Sequence, residues 1–149
     1  MNLSADLREF IELLNSRGVE YVIVGAHSLA FHARPRYTGD LDILVRPSPE
    51  NAMKLVALLR DFGFAATDFK QSDFTAPDQM IQLGRVPNRI DLLTGISGVA
   101  IDDAFRTRIS TEIEALPVFV LSKELLIRNK RAVARPQDVA DLAALEENE

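Results

Sequence analysis

Two aspartates open an aliphatic run, Asp40-Leu41-Asp42-Ile43-Leu44-Val45. If that run is a strand, residues two apart point to one face, with roughly 6–7 Å between their α-carbons. The two carboxylates then converge while Leu41 and Ile43 turn to the core. Carboxylates so placed repel each other and need a cation or a basic partner. Magnesium is a natural one, because it takes hard oxygen ligands from one or two carboxylates plus substrate phosphates. Alone, Asp-x-Asp more often marks a solvated strand start, with Gly39-Asp40 forming a turn.

Asp91 alters that balance. It sits in a second aliphatic stretch, Arg89-Ile90-Asp91-Leu92-Leu93, where an acid is costly unless paired or metal-bound. If the two strands are neighbours, three carboxylates meet, enough to hold two metals about 4 Å apart for in-line phosphoryl displacement. The plainer alternative is an ion pair to Arg89 or Arg36. Gly25 ends the run Tyr21-Val22-Ile23-Val24 and precedes small and apolar residues. A strand, a glycine and a helix start present free N–H groups and a positive dipole end to an anion, and Ser28 could add a hydroxyl. An ordinary strand-to-helix turn is the alternative.

The elements that must position these groups follow from periodicity. Leu7, Phe10, Ile11 and Leu14 recur at helical spacing after Ser4, a candidate N-cap, and Gly18 suits the left-handed closing position. Tyr21 to Val24 reads as a buried strand, and Ala26 to about Ala33 as a helix broken by Pro35. Asp40 to Val45 is a strand ended by Pro47 and Pro49. Asn51 to Phe62 is a helix with a stripe of Ala52, Leu55, Val56, Leu59 and Phe62, stopped by Gly63. Phe64 to Thr67 and Met80 to Leu83 read as short strands around a polar loop, Ser72 to Asp78. Arg89 to Leu93 reads as a strand after the Pro87-Asn88 turn. A weak helix near Asp102 to Arg106, a strand at Pro117 to Leu121, and helices at Lys123 to Asn129 and Pro136 to Glu146 complete the chain, with Pro136 at a first helical position. The fold class is therefore α/β (α+β): a mixed sheet with helices packed on it.

The 149 residues suit a single domain, residues 1–149, and the 47% hydrophobic and 26% charged fractions are those of a globular protein. The chain has no cysteine, which excludes disulfides and thiolate metal sites. No apolar run approaches the ~20 residues of a membrane span, and the start is amphipathic and acidic, unlike a signal peptide. Cytoplasmic residence is the expectation. A net charge of −5 argues against broad duplex DNA binding but not against a nucleotide carried with its metal.

Val24-Gly25-Ala26-His27-Ser28, thirteen residues from His27 to Gly39, and then Asp40-Leu41-Asp42 together resemble the signature of the DNA polymerase β-like nucleotidyltransferase superfamily. The Arg36-x-Thr38-x-Asp40-Leu41-Asp42 form is similar to small bacterial relatives of the abortive-infection and toxin–antitoxin type. Arg135-Pro136-Gln137-Asp138-x-x-Asp141-Leu142 resembles a C-terminal motif common in that group, and the likeness spans Tyr21 to Leu145. The resemblance implies the nucleotidyltransferase fold with C-terminal helices flanking the cleft. It implies transfer of a nucleoside monophosphate from a nucleoside triphosphate to a hydroxyl, with pyrophosphate leaving. Asp40, Asp42 and Asp91 would be catalytic and would hold Mg2+ (or Mn2+), with Asp91 as the carboxylate that activates the acceptor. Gly25, Ala26, Ser28, Arg36, Thr38 and Lys123 would bind the nucleotide. Ala26 departs from the Gly or Ser of the motif, and the chain is too short for the separate substrate domain of larger members.

A protein or RNA acceptor, including a toxin or antitoxin partner, is the expectation that resemblance supports. The alternative is a catalytically weak or inactive member acting as a partner-binding antitoxin or regulator. Other residues read more plainly. Arg36 could bind a γ-phosphate or pair with Asp40, and His27 could line the pocket or be a buried, hydrogen-bonded residue. Tyr37 or Phe31 could stack on a base, although Phe31 suits the core better. The cluster Lys123, Arg128, Lys130, Arg131 and Arg135 reads first as a solvated helix face, and second as a set from which Lys123 or Lys130 reaches the nucleotide.

Overall fold

The computed structural model describes residues 5–33, 40–63, 69–84 and 89–147. Among these residues six strands form one mixed sheet in the order β3-β4-β2-β1-β6-β5. The strands are β1 (Tyr21–Val24), β2 (Asp40–Val45), β3 (Met80–Leu83), β4 (Arg89–Leu93), β5 (Ile109–Ile113) and β6 (Leu116–Val120). The helices are α1 (Ala5–Ser16), α2 (Gly25–His32), α3 (Pro49–Phe62), α4 (Ile101–Arg106), α5 (Lys123–Val133) and α6 (Pro136–Glu147). β1 runs antiparallel to β2 and parallel to β6, while β2 and β4 are parallel. The expected mixed sheet is present.

Period-two alternation sorts the strand residues onto two faces. Tyr21, Ile23, Leu41, Ile43, Val45, Ile90 and Leu92 pack on one face with Leu7, Phe10, Ile11 and Leu14 of α1 and Leu55, Leu58 and Leu59 of α3. Val22, Val24 and Leu44 face the other layer, against Leu29, Phe105, Leu121, Leu125, Leu126 and Leu145 from the α2, α4, α5 and α6 side. β1 is buried on both faces, so its uniformly apolar sequence is what a central strand requires.

α3 starts two residues earlier than expected. Ser48 accepts a hydrogen bond from the Asn51 amide at 3.2 Å, and Pro49 occupies the first turn, where its missing N–H costs nothing. The loop from Ser72 holds a 3-10 turn, Gln71–Phe74, which buries Phe74 completely. β5 is an addition to the expected strands. It forms a hairpin with β6 through Glu114 and Ala115, both at positive φ (52° and 66°) without a glycine. The expected strand at Pro117 to Leu121 is shifted back by one residue. The expected strand at Phe64 to Thr67, the Ser4 cap and the Pro87-Asn88 turn lie outside the described residues.

α5 continues to Val133, four residues past the expected end, because Lys130 turns inward. Its Nζ meets Asp138 Oδ1 at 3.0 Å and Asp141 Oδ2 at 3.1 Å, all three side chains being buried. Arg135 adds its Nε to Asp138 Oδ2 at 2.8 Å. The solvated-face reading therefore fails for Lys130, which is an internal tie between α5 and α6. Ala134, left-handed at φ 53°, closes α5.

Candidate active site

Strand direction brings the chemistry to one end of the sheet. β1 and β6 end there, while β2 and β4 begin there, and the register sets Asp40 opposite Arg89 and Asp42 opposite Asp91. Cross-strand partners share a face, so all four side chains lie on the α2–α5–α6 side. Asp42 also pairs with Val24, the residue immediately before Gly25.

Gly25 is fitted to this corner by two constraints. Its φ is +67°, and a Cβ added there would lie 2.2 Å from Asp42 Oδ2. The first turn of α2 therefore starts against the Asp42 carboxylate. Val24, the cap residue, makes no side-chain capping bond, so the leading amides of Gly25 and Ala26 are not capped by it. Gly25→Ala should strain the backbone and displace Asp42 together. The expected loss is roughly 2 kcal/mol or more, read as a lower midpoint in denaturant unfolding, together with loss of nucleotide binding.

Asp91 is buried, whereas Asp40 and Asp42 are partly accessible. Arg89 bridges two of the acids: its Nη2 lies 2.9 Å from Asp40 Oδ2 and its Nε 3.3 Å from Asp91 Oδ1. The ion pair weighed from sequence for Asp91 is thus present. Asp42 and Asp91 share a hydrogen bond. Burial, that bond and the neighbouring negative charges push the Asp42 carboxyl up to about 7, against a smaller lowering by Arg89. The Arg89 guanidinium thus offsets part of the negative charge gathered at this corner. Among the described residues no three His, Asp or Glu side chains are grouped so as to hold a metal ion. Asp40, Asp42 and Asp91 nonetheless share one face of the sheet and are hard oxygen donors of the kind a divalent cation takes, with Arg89 standing between two of them.

His27 is buried, and its ring hydrogen-bonds the Asp40 backbone, joining α2 to the start of β2. Burial holds its pKa below the ordinary value, outweighing that bond. This is the buried, hydrogen-bonded arrangement. Ser28 is wholly buried, and its Oγ has no hydrogen-bond partner among the described residues. Phe31 is not in the core: it is 38% exposed and rests on His32, with centroids 4.8 Å apart. Arg36, Tyr37 and Thr38 lie outside the described residues.

Lys123 opens α5 at the same end of the sheet, since the Leu121 amide at the end of β6 donates to Ile23 O of β1 at 3.0 Å. With Glu124, Ile127, Arg128 and Arg131 it lines a cavity of about 490 Å3. Arg135, exposed beyond its bond to Asp138, feels the Asp42 charge as well. Arg89, Asp138 and Asp141 were not singled out as site residues from sequence. Arg89 was seen only as an ion-pair partner, although its place two residues before Asp91 put it on the same strand face. Asp138 and Asp141 were seen only as motif letters; the signal was their spacing of three from each other, one face of a helix.

Three solved structures share this architecture. The lincosamide antibiotic adenylyltransferase LnuA, solved with lincomycin bound, superposes with a TM-score of 0.64 at 14% identity, covering 100% of both chains. The chain has the nucleotidyltransferase fold. A candidate nucleotidyltransferase of Thermotoga maritima matches it with a TM-score of 0.61 at 18% identity, over 95% of this chain and 88% of that one. An antigenic nucleotidyltransferase-like protein of Paracoccidioides brasiliensis does so at 0.55 and 15%, over 96% and 77%. No family model and no curated protein matches the sequence itself. Among the described residues, no helix of this nucleotidyltransferase fold is long and apolar enough to cross a membrane.

Proposed function

We propose that this chain transfers a nucleoside monophosphate from a nucleoside triphosphate to an acceptor hydroxyl, releasing pyrophosphate. The observation that carries the reading is the register that sets Asp42 beside both Asp91 and Gly25. One carboxylate pair and a helix start that Val24 does not cap then lie against each other. Asp40, Asp42 and Asp91 would hold Mg2+ or Mn2+, which when bound neutralises charge on the phosphates and at the reacting phosphorus. Gly25 and Ala26 would offer backbone N–H groups to phosphate oxygens, and Lys123 a charge from the flank. Arg36 and Thr38, which precede Asp40, belong to the same proposed nucleotide set. Asp91, deepest of the acids, would take the acceptor proton on a carboxylate oxygen.

The acceptor is a hydroxyl on a protein or RNA, a toxin or antitoxin partner included. LnuA, matched along its whole length, adds a small-molecule hydroxyl to the classes worth screening. One observation favours a second reading, a partner-binding module without catalysis: Arg89 already stands between Asp40 and Asp91. Calorimetric titration of ATP, GTP, CTP and UTP with and without Mg2+ separates the two. Magnesium-dependent binding of a nucleotide is the expected result. A well-folded chain that binds none would leave the partner-binding reading standing.

A further inference from the structure

We propose that Arg89 is a resident cation, holding the carboxylates together in the metal-free protein and competing with the divalent ion for them. The inference rests on the proposed metal role of Asp40, Asp42 and Asp91. The register of β2 and β4 puts Arg89 on the carboxylate face between the two strand starts, directly opposite Asp40 and two residues before Asp91. Its single guanidinium spans both acids, at 2.9 Å through Nη2 and 3.3 Å through Nε.

The two contacts differ in kind. The Nη2 contact is a hydrogen bond to Asp40 Oδ2. The Nε and Asp91 Oδ1 atoms are buried yet make no hydrogen bond among the described residues, so this second contact is charge attraction with poor alignment. A fork gripping one carboxylate with two parallel bonds would be hard to displace; a guanidinium split between two carboxylates, with one good bond, is not. The Arg89 side chain is also 31% exposed, which gives it a way out to water. A divalent ion brings twice the charge to the same oxygens at shorter range. Occupation by the ion therefore requires the guanidinium to withdraw from Asp91 at least. The chain would then accept metal only when the gain exceeds the loss of these two contacts.

The test is Mn2+ binding to the full chain without nucleotide, followed by calorimetry and by the melting temperature, for wild type, Arg89→Gln, Arg89→Lys and Arg89→Gln/Asp42→Asn. Arg89→Gln should bind Mn2+ about tenfold more tightly or better, because one opposing charge is gone. It should also melt lower than wild type without metal and recover with Mn2+. Arg89→Lys, which keeps the charge but cannot span both acids, should fall between and covers the case in which Arg89→Gln does not fold. Adding Asp42→Asn should remove the gain. Equal or weaker Mn2+ binding in the Arg89 variants, with wild type binding normally, would overturn the proposal alone and make Arg89 an organiser of the ligands. Absence of Mn2+ binding in every variant would overturn the metal reading and this inference with it.

Discussion

Asp42→Asn should abolish magnesium-dependent nucleotide binding and lower nucleotidyl transfer by on the order of a thousandfold, while raising the stability of the metal-free protein at pH 8. On the proposed function, the loss follows from removing one of the three carboxylates that would hold the metal, whose positive charge would in turn offset that of the triphosphate, a contribution of several kcal/mol. The gain follows from the proton. Asp42 has its carboxyl raised to about 7 by burial and by Asp91, from an ordinary value of 3.8. A carboxyl raised on folding favours the native state through its protonated form. That contribution is complete below pH 3.8 and is lost as pH climbs through about 7. Asparagine keeps the shape without the charge, so the variant should lack this decline.

Denaturant unfolding at pH 5 and pH 8, without metal, checks it. Wild type should lose stability between the two relative to the variant, by about 1 kcal/mol or more. A variant less stable than wild type at pH 8 would mean that the carboxylates are already compensated without metal. Opposite signs for stability and binding separate a site residue from a structural one, which would move both together.

Lys130→Met should be the most destabilising single change in the second layer. Lys130 is buried and is shared by Asp138 and Asp141, which are buried too. Removing the cation leaves two carboxylates with less compensation, an effect of about 3–5 kcal/mol for a broken buried pair. For a chain of this length that is roughly 10 °C or more in melting temperature. Methionine keeps the length of the side chain, so lost packing contributes little. Arg135 and then Lys130 hold the Asp138 carboxyl well below the usual carboxylate range against the opposing effect of burial. A depressed acid stabilises the fold fully above its unfolded value of about 3.8 and loses that contribution as pH falls from there through its lower folded-state value. The difference between Lys130→Met and wild type should therefore narrow in acid as Asp138 takes up its proton. A shift of less than about 3 °C at neutral pH would show the pair to be solvated and the α5–α6 junction to rest on Leu126 and Leu145 instead.

Much of this protein was determined by local sequence. The apolar run of β1, the alternation of acid and aliphatic in β2, the stripe of α1 and the prolines at Pro49 and Pro136 are read within a few residues, because each expresses a backbone period or a fixed φ. The convergence of Asp40 with Asp42 is likewise a property of any strand. Tertiary structure decided what no local pattern carries. The parallel pairing of β2 with β4 brought Asp91 and Arg89 to the other acids across about fifty residues of chain, and only that register turned an ion-pair candidate into a bridge. The clearance between Gly25 and Asp42 likewise exists only once β1 and β2 are paired. Lys130 looked solvated because its neighbours Arg128 and Arg131 are; its burial depends on where α6 returns. The β5–β6 hairpin escaped notice because Glu114 and Ala115 adopt left-handed angles that sequence normally marks with glycine or asparagine. Periodicity records what a residue's own element does, whereas burial, charge pairing and close approach belong to two elements at once.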